Sequence, residues 1–83
     1  MDTQKEVVAI LDEILQLGER ASTLAPSSQL LGAIPELDSM AVVAILTAVE
    51  DRFGVVIEDD DMDGAVFATV GALVAFVDAK LAG

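Results

Sequence analysis

The chain contains no cysteine, no histidine, no tryptophan and no tyrosine, and it has only four basic residues against fifteen acidic ones. Each absence closes off some chemistry. Without cysteine, no disulfide or thiolate metal cluster can brace the fold, and stability has to come from apolar packing. At 54% hydrophobic residues the material for packing is present. Without histidine, a serine nucleophile would need lysine as its base, and Lys5 and Lys80 both read as exposed residues of terminal helices. A self-contained hydrolase is therefore not expected. Carboxylates are numerous, yet 83 residues support one compact domain whose small core implies no cleft for acid–base work.

The shortage of bases leaves a net charge of −11. Such a surface repels phosphate backbones and anionic membranes. That argues against nucleic-acid binding and favours partners with basic patches. The opening MDTQKEVVAILDE mixes acids into its apolar stretch and lacks the layout of a signal peptide. The longest nearly apolar run, Met40–Val49, is about half the ~20 residues that a spanning helix needs. A soluble, cytoplasmic monomer with no membrane insertion is expected.

What is present is helical periodicity. Val7, Ile10, Leu11, Ile14 and Leu17 recur at three- and four-residue steps, predicting a helix over 3–17 with a Thr3/Glu6 capping box and Gly18 beyond its end. GERASTLAPSSQLLGAIPELD follows. It reads as an ordered loop pinned to the core by Leu24, Leu30, Leu31, Ile34 and Leu37. A second helix is expected from Ser39 to Phe53, with Asp38 as N-cap, Gly54 as stop, and Val42, Ile45, Leu46, Val49 and Phe53 inward. Ala41, Ala44 and Ala48 fall outward or at its boundary. After the connector containing Val55, Val56 and Ile57, a short helix is expected over roughly 60–67. The last helix should follow Thr69, with Val70, Leu73, Val74, Val77 and Leu81 inward and Asp78 and Lys80 outward. The predicted fold is all-α: one domain over 1–83, a small four-helix bundle with a long first loop and a short third helix.

Two stretches invite a functional reading. Asp59, Asp61, Asp63 and Gly64 reproduce the first half of a calcium loop, but the position six residues beyond the glycine is Val70 where a bidentate glutamate is required. No metal site is assigned, and a solvated acidic helix start accounts for the cluster. The other stretch is PELDSMAVV. Ser39 falls in the first turn of the second helix, where a phosphate ester would meet the positive end of the helix dipole. On position alone, a simple capping serine explains it equally well.

Its surroundings resemble a family. LDSM at Leu37–Met40 looks like the LDSL signature of acyl and peptidyl carrier proteins, with methionine in place of leucine. Leu31-Gly32 upstream, VEDRFGVVIEDDD at Val49–Asp61 and FATVGALVAFV at Phe67–Val77 are similar to further family features in the same order. The resemblance implies that Ser39 receives 4′-phosphopantetheine from coenzyme A through a separate magnesium-dependent phosphopantetheinyl transferase. The arm's thiol would then carry acyl groups as thioesters between acyl-loading and acyl-transferring enzymes, so that the carrier itself is no enzyme. It also implies that Asp38 and Met40 present Ser39 to the transferase. Ile57 would sit at the mouth of an acyl pocket, with Leu46 and Val49 as further lining candidates, although core packing alone also accounts for them.

One departure bears on partners. Fatty-acid carriers place acids early on the exposed face of the second helix, whereas this chain has Ala41 and Ala44 there, with Glu50 and Asp51 following only near its end and Arg52 after them. The resemblance therefore implies a dedicated carrier of a specialised pathway, recognised through Met40 and Val43 with Glu50 and Asp51 behind them. An aminoacyl or peptidyl carrier, and an unmodified interaction module of the same fold, remain as alternatives.

Overall fold

The computed structural model describes residues 2–30, 32, 34, 37–58, 61 and 64–82. Among them are three long helices: α1 (Thr3–Leu15), α2 (Ser39–Phe53) and α3 (Val70–Ala82). Two 3₁₀ turns, Gly18–Thr23 and Gly64–Phe67, are also described, and the described residues form no strand. α1 packs against both α2 and α3. The core is hydrocarbon throughout: Val7, Ile10 and Leu11 of α1, Ile45 and Val49 of α2, and Val70, Leu73 and Val77 of α3 close around Leu30 and Phe67. The described residues include no buried polar or charged one.

α1 starts at Thr3 as expected, but its cap and its C-terminal end differ from the sequence expectation. Its N-cap is Asp2, whose Oδ1 accepts from Lys5 N at 3.3 Å, so the Thr3/Glu6 capping box does not form. A carboxylate one residue earlier accepts from one first-turn N–H and meets the positive helix end, which leaves Thr3 free to be helical. At the other end the helix stops at Leu15 rather than Leu17. Gln16 takes the left-handed conformation expected of a glycine (φ 54°), and Asp12 holds the turn by accepting from Leu17 N with its carbonyl and from Gly18 N with its carboxylate. Leu17 is still buried because that turn folds it back, while Leu15 takes the inward place expected of Ile14, which is half-buried.

The described residues of the first loop pack onto the core. Leu30 and Leu37 are buried, Leu24 and Ile34 half-buried, and Leu31 lies outside the described residues. The loop also makes a backbone clasp with the start of α3. Leu30 N donates to Ala68 O (3.0 Å), Val70 N to Ser28 O (2.9 Å) and Gly71 N to Pro26 O (2.8 Å), around an antiparallel bridge between Gln29 and Thr69. With Ala72 N donating to Thr69 Oγ1 at 3.0 Å, the first three N–H groups of α3 all find acceptors. These are groups that no helix can satisfy internally.

The short third helix is a 3₁₀ turn over Gly64–Phe67, and Asp59, Asp60, Met62 and Asp63, which were assigned to its start, lie outside the described residues. Two expectations for α3 are corrected. Leu81 is 38% exposed because the last turn runs past the core, with Asp78, Ala79 and Ala82 exposed around it. Lys80 is not turned freely outward: its Nζ lies 2.5 Å from Asp61 Oδ2 and 5.9 Å from the Phe76 ring centroid.

Candidate functional site

The site is built from Leu30 downward. That residue is buried and tied to Ala68, its carbonyl accepts from Ile34 N, and Ile34 O accepts from Leu37 N, each at 3.1 Å. Leu37 is buried in turn, so the chain reaches α2 from a fixed point. Asp38 then caps the helix. Its backbone is extended, its carbonyl accepts from Val42 N at 2.9 Å, and its Oδ1 accepts from Ala41 N at 2.8 Å.

Ser39 is the first helical residue and is exposed. The N–H groups of Ser39 and Met40 have no acceptor within the helix, and α2 has no acid in its first turn. An anion on the Ser39 hydroxyl would therefore meet the positive end of α2, with the Asp38 carboxylate already directed to Ala41 N. The residues present fit a phosphodiester, which needs an exposed oxygen, a fixed backbone and a favourable field.

Along α2 the exposed face near Ser39 is apolar. Met40 is 81% exposed and Val43 62%, joined by Ala44 and Thr47, and the first acid on this face is the exposed Asp51. Glu50 is placed otherwise. It is half-buried, and its Oε2 accepts from Ile57 N at 2.8 Å. Arg52 points back to α1, with Nη1 3.2 Å from Glu6 Oε2 and Nη2 3.8 Å from Glu13 Oε2. Of the pocket candidates, Leu46 and Ile57 are half-buried against the core and Val49 is buried within it.

Val56, 69% exposed beside the half-buried Val55 and Ile57, escaped the sequence reading. The signal was available, because an extended connector sends alternate side chains to opposite sides. In the acidic segment, Asp61 accepts from Glu58 N at 2.9 Å as well as from Lys80. Those bonds, that from Lys80 above all, hold its carboxyl below the usual aspartate range. Asp59 and Asp63 lie outside the described residues, and among those described no three metal-ligating side chains come together.

The likenesses to known proteins agree with this geometry. A family model described as a phosphopantetheine attachment site matches residues 5–77. The meromycolate extension acyl carrier protein of Mycolicibacterium smegmatis is 35% identical over 77 residues, covering 90% of this chain and 75% of that protein. The acyl carrier protein of Rhodococcus erythropolis is 31% identical over 77 residues, with 90% and 81% covered. The solution NMR structure of a holo acyl carrier protein from Nitrosomonas europaea superposes with a TM-score of 0.92 at 48% identity, over 100% of both chains. Fold, helix-start serine and likeness over nearly the whole length converge: the chain belongs to the acyl carrier proteins, the family that bears a covalent 4′-phosphopantetheine arm.

Proposed function

We propose that Ser39 Oγ is the attachment point of the arm, and that the protein is a carrier of a specialised acyl-chain pathway. The observation that carries this is the exposed hydroxyl at the first position of α2, behind a cap fixed by Asp38. In the loading step Ser39 Oγ attacks the coenzyme A phosphorus that bears the pantetheine. A new P–O bond forms, the pyrophosphate linkage breaks, and the adenosine bisphosphate half leaves as the hydroxyl proton is lost. The carrier supplies only the nucleophile and its presentation. Base and magnesium belong to the transferase, consistent with a chain that has no histidine.

The apolar surface of Met40 and Val43 favours dedicated partners over enzymes that read an acidic helix. Curated relatives named for meromycolate extension support a specialised route. Relatives and structural neighbour bear acyl-carrier names, which favours an acyl over an aminoacyl or peptidyl cargo. We place the protein in the cytoplasm as a monomer without catalytic activity of its own; no helix among the described residues is long and apolar enough to cross a membrane.

The test is intact-protein mass after incubation with coenzyme A, magnesium and a broad-specificity phosphopantetheinyl transferase, with Ser39→Ala in parallel. Wild type gains one phosphopantetheine group and the variant none. Equal gain by both would move the attachment elsewhere. No gain with several transferases, together with an unmodified mass from the native host, would leave an unmodified interaction module.

A further inference from the structure

We propose that the Glu50 carboxylate is a latch that holds the connector, residues 55–58, against α2, and that releasing the Ile57 N–H opens the way for an acyl chain beside Leu46 and Ile57. This rests on the reading of Ser39 as the point of attachment.

The first observation is a stripe. Ser39, Val43, Leu46 and Glu50 are spaced by four, three and four residues, which on a helix places them within roughly 60° of one another, since each residue turns ~100°. Burial deepens along it: Ser39 and Val43 are exposed, Leu46 and Glu50 half-buried. A chain tethered at Ser39 and seeking apolar cover has this row to follow, and the row ends at Glu50.

The second observation is what Glu50 does there. Its carbonyl accepts from Gly54 N at 2.9 Å, closing the helix, while its carboxylate accepts from Ile57 N at 2.8 Å in a half-buried setting. The next N–H, of Glu58, is held from the other side by Asp61, itself paired with Lys80 of α3. Of two consecutive amides of an extended connector, one thus hangs on a side chain of α2 and the next on Asp61, three residues further on. A connector in a regular ladder would open only with its neighbours, whereas here the Ile57 end comes free of α2 by the loss of a single charge-assisted bond, with Glu58 still held by Asp61. Ile57 and Val55 are its only half-buried apolar side chains, so little core would be uncovered by its movement.

The experiment compares Glu50→Ala and Glu50→Gln with wild type in a Ser39→Cys background. The chain has no other cysteine, so a maleimide carrying a long alkyl chain attaches at position 39 alone. Amide exchange is followed by NMR on the unlabelled proteins, and the methyl signals of Leu46 and Ile57 with and without the tethered chain. Glu50→Ala should speed Ile57 amide exchange about tenfold or more, the factor equivalent to ~1.4 kcal/mol. The amides of Val7 and Leu73 should keep their rates. Glu50→Gln, which keeps an acceptor oxygen, should lie closer to wild type. The methyl perturbation by the tethered chain should be larger in Glu50→Ala than in wild type. Unchanged Ile57 exchange would overturn the latch, and so would a freed amide with a perturbation no larger than wild type, including none in either. If Glu50→Ala loses its fold, Glu50→Asp, one methylene shorter, gives the same comparison. Thiol attachment needs no transferase, so failed coenzyme A loading would remove the Ser39 reading and leave this comparison intact.

Discussion

Gly71 N donates to Pro26 O at 2.8 Å, and a Cβ added to Gly71 would stand 2.8 Å from that same oxygen. The first loop therefore docks on α3 through a contact that only a residue without a side chain permits. Gly71→Ala should destabilise the protein. The backbone carbonyl cannot rotate away as a flexible side chain would, and overpacking of this kind costs ~1–3 kcal/mol. The gain in helix propensity is at most ~1 kcal/mol, and less near a helix end. A urea midpoint below that of wild type with unchanged slope is the expected result. An equal or higher midpoint would show that the loop moves aside freely.

That contact also marks where sequence stopped being legible. The long helices followed from apolar spacing, and α2 was placed from Asp38 and Gly54, because both its end signals are local. Ser39 stood out through neighbouring letters, not through physics, since a capping serine and an attachment serine look alike by position. α1 starts at Thr3 as expected, but its cap and its far end differ because Asp2 and Asp12 act through side-chain reach, which periodicity does not carry. The Pro26–Gly71 clasp and the Glu50–Ile57 bond join backbone to partners 45 and 7 residues away, and no propensity encodes the first of these. Lys80 read as a solvated charge because its partner Asp61 lies 19 residues earlier.

Asp38→Ala should act twice. Loss of the bond to Ala41 N should lower stability by ~0.5–2 kcal/mol, the usual range for a lost N-cap. Fraying of the first turn should also reduce kcat/KM for phosphopantetheine transfer, because Ser39 is no longer held in one geometry. Asp38→Asn keeps the capping oxygen and should recover most of the stability in a denaturant titration. If it also recovers the transfer rate, Asp38 acts by shape; if it does not, the charge itself is read by the transferase.

The Asp61–Lys80 pair sets a pH dependence. Asp61 is held below its ordinary pKa, first by the bond from Lys80 and then by that from Glu58 N. A carboxyl with a depressed folded-state pKa contributes stability that is complete above the unfolded value and is lost as pH falls through the folded value. The contribution is therefore constant at neutral pH and disappears in the acid range, below where ordinary aspartates titrate. Lys80→Met should raise the Asp61 pKa toward the ordinary value in a carboxyl NMR titration, while the Glu58 amide keeps part of the shift. An unmoved titration would mean that Lys80 does not reach Asp61 in solution.

Val43 and Asp51 separate two ways of being recognised. Val43 lies one helical turn beyond Ser39 and is 62% exposed, so Val43→Glu should leave stability within ~0.5 kcal/mol of wild type. If partners bind through the apolar face, the new charge must be desolvated on docking, and kcat/KM for transfer from coenzyme A should fall about tenfold, as for an interface anchor. Asp51→Asn removes an exposed charge farther along the helix. It should cost little, and that little should fade as salt is raised, because rim charges act mainly on encounter. The reverse pattern, a tolerant Val43 and a salt-sensitive loss at Asp51, would mean that partners read the acidic end of α2. Met40 and Val43 would then be exposed for another reason. Running both variants at low and high salt decides between the two, because desolvation survives screening and steering does not.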